Sequence, residues 1–149
     1  MSLFDDVLGD SGSFTEKPFG PQEGVAGVLL GASACDGHIA DEEVQSLMTI
    51  LGRMNLYSRL SGQHFGNMMD RLMGTLKKGG PEKLLEKAIP AVPPELRETV
   101  FANACDIVLA DGVVDSEEKE FIDQLVQRLE IEGSRAKDIV KVMVYKNKG

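Results

Sequence analysis

With 149 residues, 42% of them hydrophobic, the chain is long enough to bury one core and too short for two. A formal net charge of −8 and an isoelectric point near 4.8 exclude a protein that tracks nucleic acid, since only clustered Lys and Arg displace the cations condensed on phosphate; divalent cations or basic surfaces are the expected partners. No apolar run approaches the roughly 18 residues that span a bilayer, and Met1-Ser2-Leu3-Phe4-Asp5-Asp6 has no basic stretch ahead of a hydrophobic one, so the chain is expected to be cytoplasmic and not transmembrane.

Residues 1–21 carry Gly9, Gly12, Pro18, Gly20 and Pro21 among isolated aromatics, a composition that interrupts regular structure. They read as a flexible N-terminal tail ahead of one helical domain over 22–149. Within the tail, Leu3, Phe4, Val7 and Leu8 form a short apolar stripe suited to packing on the body rather than on an anionic membrane, which Asp5 and Asp6 oppose.

From Gln22 onward apolar residues recur every three or four positions and strict alternation is scarce, so the expected fold class is all-α. About seven helices are predicted, near 22–35, 41–54, 60–78, 81–88, 94–110, 115–130 and 133–146. Gly79-Gly80-Pro81 reads as a helix stop followed by a start, because Gly accepts a left-handed cap and Pro suits the first turn. Pro90, Pro93 and Pro94 mark another break. The Val-rich stretch Ile139 to Tyr145 could pass for a strand, but Arg135, Lys137 and Lys141 place a basic helical face beside it.

An internal repeat stands out. Asp36-Gly37-His38-Ile39 is followed by Glu42-Glu43, and Asp111-Gly112-Val113-Val114 by Glu117-Glu118, with 75 positions between corresponding acids (36 to 111, 43 to 118). Val25, Val28, Leu29 and Ala32 lead at helical spacing to Asp36; Leu96, Val100, Ala104, Ile107 and Val108 lead likewise to Asp111. Both aspartates are therefore expected to point inward. Glu43 precedes Leu47 by four, and Glu118 precedes Phe121 and Ile122 by three and four, so these two flank buried stripes.

Carboxylates carried towards a dry interior need backbone amides or a cation for compensation. Two readings follow. In the first, the acids cap helices, and Asp115 with Glu118 matches a capping box. In the second, Asp111-Gly112, Val114, Asp115 and Glu118 reproduce the back half of a calcium-binding EF-hand loop. The front half is absent: Ile107 and Leu109, or Ala32 and Ala34 in the other copy, fall where the first and third ligands belong. A true EF-hand is excluded, and a cation site requires oxygens from both junctions folded against each other.

The opening Met1-Ser2-Leu3-Phe4-Asp5, the acidic helical chain of this length, and the two Asp-Gly junctions with Glu-rich helix starts together resemble the tellurite-resistance TerB family over essentially the whole chain. The resemblance implies a compact, internally repeated, non-enzymatic helical protein that binds a divalent metal, with calcium a candidate. It also implies a role in resistance to tellurite and related stresses, alongside other tellurite-resistance or membrane-associated proteins, in the cytoplasm or at the inner face of the membrane. Carried over residue by residue, the acidic positions are Asp36, Asp41, Glu42 and Glu43 in the first junction and Asp111, Asp115, Glu117 and Glu118 in the second. Ala40 stands where the second copy has Asp115, so unequal halves are expected. A metal-free interaction module is the alternative.

Other chemistry is thinner. His38 sits in a loop and His64 in a Gly-interrupted helix, and no nucleophile, base and orienting group assemble around either. Cys35 and Cys105 form neither a CxxC pair nor a zinc pattern and read as small buried residues. They recur in Ala34-Cys35-Asp36 and Ala104-Cys105-Asp106, which would suit a thiol-dependent tellurite reductase, but the tripeptides do not align when the junctions are superposed. Coincidence is the simpler reading. Met48, Met54, Met68, Met69 and Met73 are assigned to the core, with a partner groove as the alternative.

Overall fold

The computed structural model describes residues 18–35, 39–110 and 114–148, and among these every regular element is helical. In chain order they are α1 (Pro21–Ser33), α2 (Asp41–Gly52), α3 (Gly62–Ala88), α4 (Arg97–Leu109), α5 (Ser116–Arg128) and α6 (Gly133–Lys146). Short 3-10 turns fill Asn55–Tyr57, Ile89–Ala91 and Pro94–Leu96. The all-α expectation holds, with six α-helices among the described residues in place of about seven. The segments expected at 60–78 and 81–88 run together as α3. The predicted break survives inside it as a kink, because Gly80 takes φ 77° and ψ 178°, backbone angles that a side chain would strain.

α1 is the hub. It packs most extensively on α3 and next on α4, while α4 also packs on α6. Gly24 through Ser33 are all buried, so the stripe expected from Val25, Val28, Leu29 and Ala32 is only part of what α1 hides. A helix apolar all round belongs in a core. The face the periodicity overlooked carries Gly24, Gly27 and Gly31, one below another along the helix, and it lies against the second half of α3 and the turn after it. A Cβ on Gly27 would stand 2.8 Å from Ala88 Cβ, and one on Gly24 2.8 Å from Ala91 Cβ. Ser33, the one polar residue in this run, donates its hydroxyl to Leu29 O at 3.2 Å.

The start of α1 is tied down by long-range polar contacts. Tyr57 donates to Gln22 O at 2.6 Å, and Gln22 donates its side-chain amide to Leu56 O at 2.9 Å. Glu23 accepts from Gly20 N–H at 3.0 Å and pairs with Arg71, whose guanidinium lies 4.9 Å from the Phe19 ring centroid. Helix α1 already begins at Pro21, the last residue assigned to the tail; residues 1–17 lie outside the described residues.

The methionines behave as core: Met68 and Met69 are buried, and Met48, Met54 and Met73 pack against the same cluster. The Val-rich C-terminal segment is helical, as its basic face predicts. α6 turns Ala136, Ile139, Val140 and Met143 towards the body, and Arg135 Nε reaches Glu98 Oε1 at 3.3 Å.

Candidate functional site

The two junctions differ in how their second helices begin. α2 starts at Asp41 behind Ala40, whose methyl group offers no cap bond. α5 starts at Ser116 behind Asp115, which caps it. The starts lie 75 positions apart (41 to 116), the spacing the repeat predicts. Asp115 Oδ1 accepts the Glu118 N–H at 2.8 Å, and Glu118 Oε1 accepts the Asp115 N–H at 3.1 Å, so the expected capping box is formed. Asp36, Gly37, His38, Asp111, Gly112 and Val113 fall outside the described residues, and with them the expected inward aim of Asp36 and Asp111.

What the helices do show is that acids of both junctions open onto one cavity of about 560 Å³. Its apolar wall comes from Ala32 of α1, Leu47 and Ile50 of α2, and Ile107 of α4. Glu42 and Glu43 enter from α2, Glu118 from α5, and Lys146 and the following Asn147 from the end of α6. Glu43 and Glu118 are half-buried while Glu42 is exposed. Asp41, Asp115 and Glu117 are exposed and do not line this cavity. Glu117 faces a different groove, shared with Glu82 and Glu120.

A fourth carboxylate among the described residues, outside the repeated junctions, lines the same wall. Asp106 of α4 lines the cavity with its side chain only 18% exposed, accepting from Lys146 Nζ at 3.0 Å and from Asn147 Nδ2 at 2.8 Å. Its signal was present: an acid one turn ahead of Ala110, on the face leading into the junction. The tripeptide containing it drew attention to the neighbouring thiol instead.

Among the described residues the cavity is lined by four carboxylates and one ammonium, oxygen donors of the kind a hard cation such as calcium or magnesium prefers. Glu118 can serve as cap and ligand together, since a carboxylate has lone pairs beyond those one amide uses. Among the described residues, no group of three or more His, Cys, Asp or Glu side chains is close enough together to hold a metal ion. Glu42, Glu43 and Glu118 thus surround the space without converging on one point.

The thiols are differently placed. Cys35 reaches the acidic cavity, whereas Cys105 lines a separate apolar pocket with Val108, Leu109 and Ile122. Burial, with Asp106 beside it, pushes the Cys105 thiol up to about 12, far from the thiolate that redox chemistry needs. His64 is exposed, with Nδ1 3.1 Å from Ser61 Oγ at the start of α3. Among the described residues no helix is long and apolar enough to cross a membrane.

Residues 22–140 fit the family model described as tellurite resistance protein TerB, beginning where the tail was expected to end and stopping within α6. No curated protein and no solved structure matches.

Proposed function

The chain belongs to the tellurite-resistance TerB family, and from that premise we propose that it is a non-enzymatic cation-binding protein of tellurite and stress resistance. The candidate ligands are the junction acids Asp36, Asp41, Glu42, Glu43, Asp111, Asp115, Glu117 and Glu118, of which Asp41, Asp115 and Glu117 lie outside the shared cavity. Of these, Glu42, Glu43 and Glu118 line the common cavity, and an ion there requires their side chains to close in, since no three acids among the described residues already converge. A single observation carries the reading: acids from helix starts 75 positions apart line the same cavity. A divalent ion there offsets like-charge repulsion that the fold otherwise bears and joins the two halves of the repeat. Calcium suits the oxygen donors best, and partner proteins at the inner face of the membrane complete the role.

The test is isothermal titration of chelator-stripped protein with calcium, magnesium and manganese, alongside a Glu43→Gln, Glu118→Gln double variant. Gln at 118 retains the capping box while removing the charge, so a fall in affinity reports ligation rather than unfolding. We expect calcium binding in the parent and a loss of about tenfold or more in the variant, equivalent to roughly 1.4 kcal/mol or more. Absence of heat with all three ions removes the cation reading. The formed Asp115–Glu118 box favours the second reading in that event, a metal-free interaction module whose acids are helix caps.

A further inference from the structure

The longest acid-free stretch of the sequence runs from Val44 to Met69, between Glu43 and Asp70, in a chain that carries 24 acids. It contains Arg53, Arg59 and His64, all exposed, and it borders a groove of about 340 Å³ between the start of α1 and the first half of α3. Gln22 and Glu23 line the α1 side of this groove, and Leu60, His64, Met68 and Arg71 line the other. Leu60 and Met68 give it apolar surface beside cationic side chains. An occupant that is both apolar and acidic fits such a groove.

The chain carries a segment of that description. Residues 1–16 hold Asp5, Asp6, Asp10 and Glu16 with no Lys or Arg, and Leu3, Phe4, Val7 and Leu8 recur at the spacing of one helical stripe. The described chain starts at Pro18, and the next residue, Phe19, sets its ring centroid 4.9 Å from the guanidinium carbon of Arg71, which itself lines the groove. Residues 1–17 therefore join the helical body at the rim of the groove. The linker from Leu8 to Phe19 can extend to about 35 Å, ample to fold back onto that rim. The other cavities described lie farther off, around Ala32, Ser33 and Cys35 about 20 Å along α1, or among α4, α5 and α6.

We propose that the groove between α1 and α3 is the docking site of the chain's own N-terminal segment, with Leu3, Phe4, Val7 and Leu8 covering Leu60 and Met68 and the segment's acids set against the acid-free surface around Arg59 and His64. Tethering through so short a linker holds the segment at an effective concentration on the order of millimolar, so a small contact suffices. The same acids repel an anionic membrane, which leaves the chain's own groove as the favoured apolar surface. The segment precedes residue 22, where the family match begins, and the inference does not depend on the cation reading above.

The test is paramagnetic broadening in the full chain, with a nitroxide on Ser2→Cys and with Cys35→Ser, which leaves only the buried Cys105 besides. Amide signals of residues 60–71 are expected to lose at least half their intensity relative to the reduced label, while those of residues 133–146 keep theirs. Phe4→Asp with Val7→Asp in the same chain should restore the lost intensity; both positions precede the helical core, so the fold survives the change. Broadening of residues 60–71 that persists in the double Asp variant, that falls elsewhere on the body, or that is absent overturns the proposal. So does broadening of isotope-labelled chains by separate nitroxide-bearing ones, which assigns the groove to a second copy instead.

Discussion

Position 40 is where the two halves of the repeat part company. Asp115 accepts the Glu118 amide hydrogen and closes a capping box, whereas Ala40, at the matching place, leaves the first turn of α2 without a side-chain cap. An aspartate there would face the Glu43 amide, with Glu43 positioned to complete the reciprocal bond. Ala40→Asp is therefore expected to stabilise the fold by about 1 kcal/mol, and Asp115→Ala to destabilise it by a similar amount. Thermal unfolding should register each as a shift of roughly 2–4 °C, of opposite sign. Equal melting temperatures for Ala40→Asp and the parent would sink the claim that the two junctions differ by a cap. This contrast was legible in the sequence because a capping box is complete within four residues. Asp106 was legible only as an acid one turn ahead of the junction; its partners Lys146 and Asn147, 40 and 41 positions away, were not.

Among the helices, α1 shows how composition can conceal a contact. Its aliphatic residues suggest one buried stripe, yet its glycines define a second one that lets α3 approach closely. Gly27→Ala would raise intrinsic helix propensity by roughly 1 kcal/mol, but the new methyl must enter a space where Ala88 Cβ is 2.8 Å away. Overpacking costs about 1–3 kcal/mol, so the net expectation is a loss of stability on denaturant unfolding. Adding Ala88→Gly should recover part of that loss despite its own helix penalty. A Gly27→Ala variant more stable than the parent contradicts the close packing. Periodicity did locate every helix of the body, since that signal is local, and it placed the α3 break at Gly80, where φ 77° demands a residue without a Cβ. It counted the kinked α3 as two helices because a Gly-Gly-Pro run carries no information on whether packing against α1 holds the two halves as one element.

For the molecule as a whole, the concentration of negative charge has a thermodynamic consequence. With a net charge of −8, and four carboxylates and one ammonium lining the cavity among the described residues, the folded state bears repulsion that the extended chain relieves. An ion bound only by the folded form stabilises it by mass action, about 2.7 kcal/mol at a free concentration one hundred times Kd. Calcium at that level should raise the melting temperature by roughly 5–10 °C, with the rise continuing logarithmically as concentration increases. Sodium chloride at matched ionic strength separates general screening from binding. An equal rise with sodium alone argues for screening.

The sequence by itself determined the helical class, the approximate helix positions and the family, because each depends on residues within a few turns of one another or on a spacing that can be counted. It also nominated Glu42, Glu43 and Glu118, although it could not separate them from Asp41, Asp115 and Glu117, which flank the same junctions. Tertiary structure made that separation. Which carboxylates face a common space depends on how α1, α2, α4, α5 and α6 lie across one another, with α1 itself seated on α3 through close approaches such as Gly27 on Ala88 that no local pattern encodes. The same packing brings the end of α6 to Asp106, placing a lysine from the far end of the chain at the cavity its acids share.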